Sequence, residues 1–336
     1  MQKSKDSFFT NDFSHIYIEK EAWKYPLTQT ILQRFPHANR IEIDRYQDVF
    51  NRSKQNFFLQ KHAPKLILAV KKAPFLYRGA EVCHDFGNTY FYYTSSALNC
   101  LYNCEYCFLQ GMFPSANIVL FVNIDDYFTE VSHTLQKHPV YLAISYETDL
   151  LAFERIAPYV SKWIDYAREQ EDLLLEVRSK SANYTAIQHL EPASQVILAW
   201  TLSPDAVIQQ FEAGTPNLTA RLKSLRQAID DGWKVRICFD PVLHIENWQE
   251  HYRECIERTF SVVPAEKIQD ISIGVFRIPR DYLKKIRKHR TDSALLHYPF
   301  ESHDGVFSYP HEIAKQLIDH VYQHVNTYVP KEKIYI

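Results

Sequence analysis

Cys100, Cys104 and Cys107 stand in the run N-C-L-Y-N-C-E-Y-C-F, from Asn99 to Phe108, with the spacing C-x3-C-x2-C. Thiolates are soft ligands, and three of them so close in sequence can be carried to one centre by a single loop. Four chemistries are open: a disulfide framework, a zinc site, an iron-sulfur cluster and plain buried packing. Six cysteines in 336 residues fall far below the density of a disulfide scaffold. Structural zinc takes a closed set of four ligands, so Cys83 or His84 would have to swing in to complete it. A cubane cluster is held by thiolates, usually four, and three leave one iron open to an external ligand. The other three cysteines, Cys83, Cys238 and Cys255, are expected to be packing residues, although Cys238 falls at a strand end and could face a cavity.

Other sources of chemistry are scarce. The seven glycines form neither a G-x-G-x-x-G fingerprint nor a P-loop, which argues against a nucleotide held in a glycine-rich cradle. A formal net charge of -2 announces no nucleic-acid binder, so any such surface must be local. The best local patch is F-R-I-P-R-D-Y-L-K-K-I-R-K-H-R, residues 276–290, with seven Lys or Arg in fifteen. As a helix after Pro279 it sends Tyr282, Leu283 and Ile286 inward, and Arg277, Arg280, Lys284, Lys285, Arg287 and Lys288 are the expected phosphate contacts. The following Y-P-F-E-S-H-D-G-V-F-S-Y, residues 298–309, is expected to form a hairpin turning at Asp304-Gly305. The start, Met1-Gln2-Lys3-Ser4-Lys5-Asp6, carries no apolar leader, and no later run approaches the ~18–20 apolar residues of a spanning helix. A soluble cytoplasmic protein with no membrane association is expected.

The elements that must position the cysteines are strands alternating with helices. Apolar, β-branched runs at 89–93, 118–122, 140–145, 173–177, 196–201, 235–239 and 271–276 read as parallel strands buried on both faces. Between them lie helical stretches at 152–169 and 216–231, the latter capped by Thr215 and stopped by Gly232. The fold class is therefore α/β, a full or partial barrel whose functional residues sit at the carboxyl ends of the strands. Residues 1–84, with a helix at 27–35 and a strand at 65–70, form an N-terminal extension packed on the core. Residues 85–278 form the barrel, and 279–336 a basic helix, the hairpin and a last helix at 310–325.

C-x3-C-x2-C with an aromatic directly after it resembles the radical S-adenosylmethionine superfamily. A more specific likeness covers most of the chain. S-S-A-L-N-C-L-Y-N-C-E-Y-C-F-L-Q with I-V-L-F-V-N-I-D-D, then F-E-A-G-T, R-L-K-S-L-R and D-P-V-L-H-I-E-N-W, resemble the spore photoproduct lyase family. The resemblance implies a partial (β/α)6 radical-SAM barrel with an N-terminal extension and a C-terminal helix and hairpin segment. It implies a [4Fe-4S] cluster on Cys100, Cys104 and Cys107, whose open iron binds S-adenosylmethionine and yields a 5'-deoxyadenosyl radical. It also implies repair of an ultraviolet thymine lesion in DNA, with an electron donor such as flavodoxin or ferredoxin. Ser145, Lys180 and Ser203 match polar positions beside S-adenosylmethionine. Arg221 is expected to reach its carboxylate, with a pairing to Glu212 as the alternative.

Two departures from the family stand out. Members that repair the lesion carry a cysteine after the strand at 140–145 that returns hydrogen to the substrate. Here A-I-S-Y-E-T-D, residues 143–149, has none. Aligned on Asp149 the position falls on Tyr146, and without a gap on Ser145; a tyrosine phenol gives up hydrogen more readily than a serine hydroxyl. Phe108 stands where the lyases place a relay tyrosine, while Tyr106 is kept. Tyr146 and Tyr106 are thus the expected catalytic tyrosines. The alternatives are a divergent radical enzyme on another substrate and a non-catalytic nucleic-acid-binding metalloprotein.

Overall fold

Six parallel strands carry the core of the structure, a computed structural model that describes residues 13–336. The Met1–Asp6 segment lies outside the described residues. The strands are β1 (Phe91–Tyr93), β2 (Val140–Ala143), β3 (Leu173–Ser179), β4 (Val196–Thr201), β5 (Lys234–Val242) and β6 (Ile268–Val275). Each pairs in parallel with the next in chain order, as βα units require. Tyr77–Arg78 borders β1, Ile334–Tyr335 borders β6, and the two edges do not join, so the barrel is partial, as expected.

One expected barrel strand belongs elsewhere. Ile118–Phe121 pairs in parallel with Leu66–Ala69, in a second sheet with His15–Glu19, Asn39–Ile43 and Ala97–Leu98. All four of its residues are buried, and a run covered on both faces reads alike in either sheet. This sheet is how the N-terminal segment packs on the core, because the chain returns to it on both sides of the cysteine loop. Glu19 ties it together, accepting from Tyr46 N and, at 2.8 Å, from Val70 N.

The stretch at 152–169 forms two helices, Leu150–Phe153 and Tyr159–Arg168, separated at Pro158. The helix at 216–231 runs Leu218–Asp230 and is capped by Asn217, which accepts from Ala220 N at 2.9 Å, rather than by Thr215. The basic helix Arg280–Arg287 packs so tightly on Leu109–Met112 that a Cβ on Gly111 would stand 2.5 Å from the Tyr282 backbone. Asp304 and Gly305 both take positive φ, the two-residue turn expected between Glu301–His303 and Val306–Ser308. The final helix is His311–Asn326. No helix among the described residues is long and apolar enough to cross a membrane.

Candidate active site

The cysteine loop is held at both ends. Asn99, fully buried in a left-handed conformation, donates through Nδ2 to the carbonyls of Ser115 and Asn117 at 2.7 Å each. Farther on, Asn103–Cys104 pairs antiparallel with Glu212–Ala213, which fastens the loop to the segment after β4. Gln110 Nε2 donates to the carbonyls of Cys104 and Glu105, and Arg290 donates to Gln110 Oε1 at 2.6 Å and Asn103 Oδ1 at 2.7 Å. Lys61 donates to the Cys100 carbonyl.

This scaffold presents Cys100, Cys104 and Cys107 to one cavity of about 480 Å³ beyond the carboxyl ends of the strands, where Ser179, Thr201, Asp240 and Val275 also line it. Burial pushes all three thiols up, Cys100 to about 12, so they ionise only where a cationic centre binds them. Among the described residues no three His, Cys, Asp or Glu side chains converge tightly enough for a single ion. Three thiolates on one cavity, with a position left for an external ligand, suit an iron-sulfur cluster better than the closed set of four that structural zinc takes.

Behind the loop lies a buried hub at Glu212. Its carboxylate accepts from Tyr106 Oη, from Ser203 Oγ at 2.9 Å and from Arg221 Nη2. Burial alone would raise this carboxyl, but Arg221 and Lys180 bring it down to about 2. Arg221 spends its other donors on Pro216 O and Thr201 O. Arg221 and Ser203 both hold the Glu212 carboxylate, and for Arg221 this is the alternative pairing named from the sequence. A buried carboxylate needs a counter-charge, and Arg221 supplies it.

Lys180 does line the cavity, with Nζ 5.6 Å from the Tyr106 ring centroid. Its backbone N donates to Asp149 Oδ2 at 2.8 Å, while Asp149 Oδ1 accepts from Ser179 Oγ and Ala152 N. Ser145 and Tyr146 also line the cavity, and Thr148 beside them is buried. Ser145 Oγ and Thr148 Oγ1 have no hydrogen-bond partner among the described residues. Unspent hydroxyls on a cavity wall suit a polar ligand.

The Tyr146 ring stacks on Tyr93 with centroids 4.1 Å apart and lies 5.9 Å from Phe108. On the facing wall Arg277 grips Asp240 with both Nη atoms, at 2.9 and 3.0 Å, and Arg178 Nη1 lies 3.9 Å away. Gly274 makes room: a Cβ there would stand 2.8 Å from Arg277 Nη1. Cys83, expected to be a packing residue, lines this cavity, whereas Cys238 and Cys255 are buried elsewhere in the core. The sequence reading missed Thr148, Asp149, Arg178 and Asp240 as cavity residues. Their positions at strand ends, as in E-V-R-S-K, were the available signal.

Of the basic patch, Arg280, Lys284, Lys285 and Lys288 are exposed. Arg277 is spent on Asp240, and Arg287 donates to the carbonyls of Leu296 and Tyr298, so these two are corrected from phosphate contacts to internal ties.

The sequence model of the family described as spore photoproduct lyase matches residues 11–335, nearly the whole chain. The chain belongs to the spore photoproduct lyase family. The spore photoproduct lyase of Clostridium acetobutylicum is 24% identical over 74% of this chain and 74% of its own. That of Bacillus subtilis is 20% identical over 95% and 96%. Among solved structures, a doubly substituted spore photoproduct lyase with bound AdoMet and dinucleoside spore photoproduct superposes with a TM-score of 0.81 at 18% identity, covering 96% of this chain and 97% of that one. A spore photoproduct lyase complexed with the dinucleoside spore photoproduct gives 0.79 at 17%, with the same coverage. These likenesses establish the fold, and membership favours a radical enzyme of this family over a non-catalytic metalloprotein.

Proposed function

We propose that this chain is a radical S-adenosylmethionine lyase that reverses spore photoproduct, an ultraviolet thymine lesion of DNA. The observation that carries the reading is the meeting of the three loop thiols with unspent hydroxyls on one cavity at the strand ends. Cys100, Cys104 and Cys107 would hold a [4Fe-4S] cluster, and Ser145, Thr148 and Lys180 would border S-adenosylmethionine. When bound, the pair supplies a primary carbon radical that abstracts hydrogen from the lesion.

The chain's own residues position and shield. Burial opposes the Lys180 charge, but Glu212 outweighs it and keeps the ammonium cationic, ready for a carboxylate or thiolate. Ser203 and Arg221 act through Glu212, which fixes Tyr106 beside the cysteines. Tyr146 and its stacked neighbour Tyr93 form the wall on which hydrogen returns to the substrate.

DNA would be held by Arg280, Lys284, Lys285 and Lys288, and the lesion would leave the stack to enter the cavity. Its first electron would come from a flavodoxin- or ferredoxin-type carrier, which with a DNA substrate makes the cytoplasm the expected location. The test is anaerobic reconstitution. About four irons per chain and formation of 5'-deoxyadenosine from S-adenosylmethionine are expected, and both are lost in Cys104→Ala.

A further inference from the structure

We propose that Cys83, backed by Tyr146, is the hydrogen-atom donor of this chain: the Cys83 thiol gives its hydrogen to the substrate carbon radical, and the Tyr146 hydroxyl refills it. The inference rests on the reading of the chain as a lyase.

A carbon radical left in a closed cavity is quenched productively by the weakest X–H bond within reach, and among side chains that bond is the thiol S–H. Four cysteines line the cavity among the described residues: Cys100, Cys104, Cys107 and Cys83. The first three are committed to the metal, which leaves Cys83 as the free thiol. Its Sγ lies 4.0 Å from Tyr146 Oη, and burial pushes the thiol up, so it carries its hydrogen at neutral pH.

The loop that bears Cys83 is fastened in place. The Cys83 N–H donates to the Ala80 carbonyl at 2.9 Å, and the Val82 carbonyl accepts from Arg277 Nε at 2.8 Å. The same Arg277 holds Asp240, so the thiol is latched to the barrel wall by a side chain whose Cβ-free neighbour, Gly274, gives it room. Thr148 Oγ1, buried and unpartnered, lines the same cavity and marks it as a ligand-binding space.

The bonds balance as follows. The Cys83 S–H bond breaks, a C–H bond forms on the substrate, and the substrate radical is reduced by one hydrogen atom. The sulfur radical then takes hydrogen from Tyr146, breaking its O–H bond and reforming S–H. The oxidised tyrosine is restored by one electron from the reduced flavin or iron-sulfur carrier and one proton from solvent. Tyr146 stacks on Tyr93, and Tyr93 on Tyr77 at 5.2 Å, a line of rings running from the cavity to the half-buried edge strand by which that electron can enter.

Repair of the dinucleoside lesion in deuterium oxide tests this, because S–H and O–H exchange with solvent beforehand. The wild-type chain is expected to place solvent deuterium in the product thymine. Cys83→Ala is expected to lose that deuterium and to fall at least about tenfold in repair, while Tyr146→Phe keeps the first transfer and fails on later turnovers. Apart from turnover, the lesion dinucleotide is expected to protect Cys83 from N-ethylmaleimide in the purified chain, as read by mass spectrometry. Cys83→Ser is expected to keep full iron content and lesion affinity. Undiminished deuterium transfer in Cys83→Ala, or labelling of Cys83 indifferent to the lesion, overturns the proposal. A wild-type chain that repairs no lesion overturns the underlying reading and the proposal with it.

Discussion

Arg290 donates through Nε to Gln110 Oε1 at 2.6 Å, so the end of the basic segment is hydrogen-bonded to the loop that carries the cysteines. Its Nη2 reaches Asn103 as well, and a fork of that kind is not reproduced by an ammonium. Arg290→Ala and Arg290→Lys are both expected to take up less iron on reconstitution and to lose it faster in air than the wild type. Equal iron content and lifetime in both variants would contradict this tie.

Glu212 is the buried partner of Arg221. Glu212→Gln leaves the guanidinium without its counter-charge and is expected to cost about 3–5 kcal/mol in urea unfolding. Tyr106→Phe removes one hydrogen bond to the same carboxylate and is expected to cost about 1–3 kcal/mol. The order of the two is the check: a Glu212 variant no less stable than the Tyr106 variant would mean the pair contributes little.

Inside the barrel, Arg236 donates to Asp270, Glu176 and Tyr141. Burial alone would raise the Glu176 carboxyl, but Arg178 and Arg236 bring it from its ordinary 4.5 down to about 2. A depressed carboxyl contributes stability that is complete above its unfolded value and is lost as pH falls through the folded one. The stability gap between wild type and Glu176→Gln is therefore expected to be constant above pH 4.5 and to close between pH 4.5 and 2, as followed by denaturant unfolding across that range.

Lys284 and Lys285 are exposed on the basic helix, whereas Arg287 is turned to backbone carbonyls. Replacing either lysine by alanine is expected to lower the slope of log affinity for duplex DNA against log salt by about 0.9. Arg287→Ala should instead lower thermal stability. An unchanged salt slope in the double lysine variant would remove this helix from the DNA surface.

Much of this was legible in the chain. The loop cysteines announced themselves by spacing, five of the seven apolar runs anticipated barrel strands β2 to β6 to within a few residues, a sixth overlapped β1, and the Asp304-Gly305 turn was fixed by backbone chemistry. The strand at Ile118–Phe121 was misplaced because double-sided burial erases the alternation that would tell one sheet from another. Arg287 was misread because a sequence shows a charge and not its partner, which here is set by residues nine and eleven positions away. Cys83 escaped for the same reason: its contact with Tyr146 spans 63 residues.

The most direct test of the central claim is turnover of a dinucleoside spore photoproduct by the anaerobically reconstituted chain with S-adenosylmethionine and a one-electron reductant. Conversion to the two parent thymidines is expected, abolished by Cys100→Ala, Cys104→Ala or Cys107→Ala. An iron-loaded chain that cleaves S-adenosylmethionine and leaves the lesion intact would contradict it.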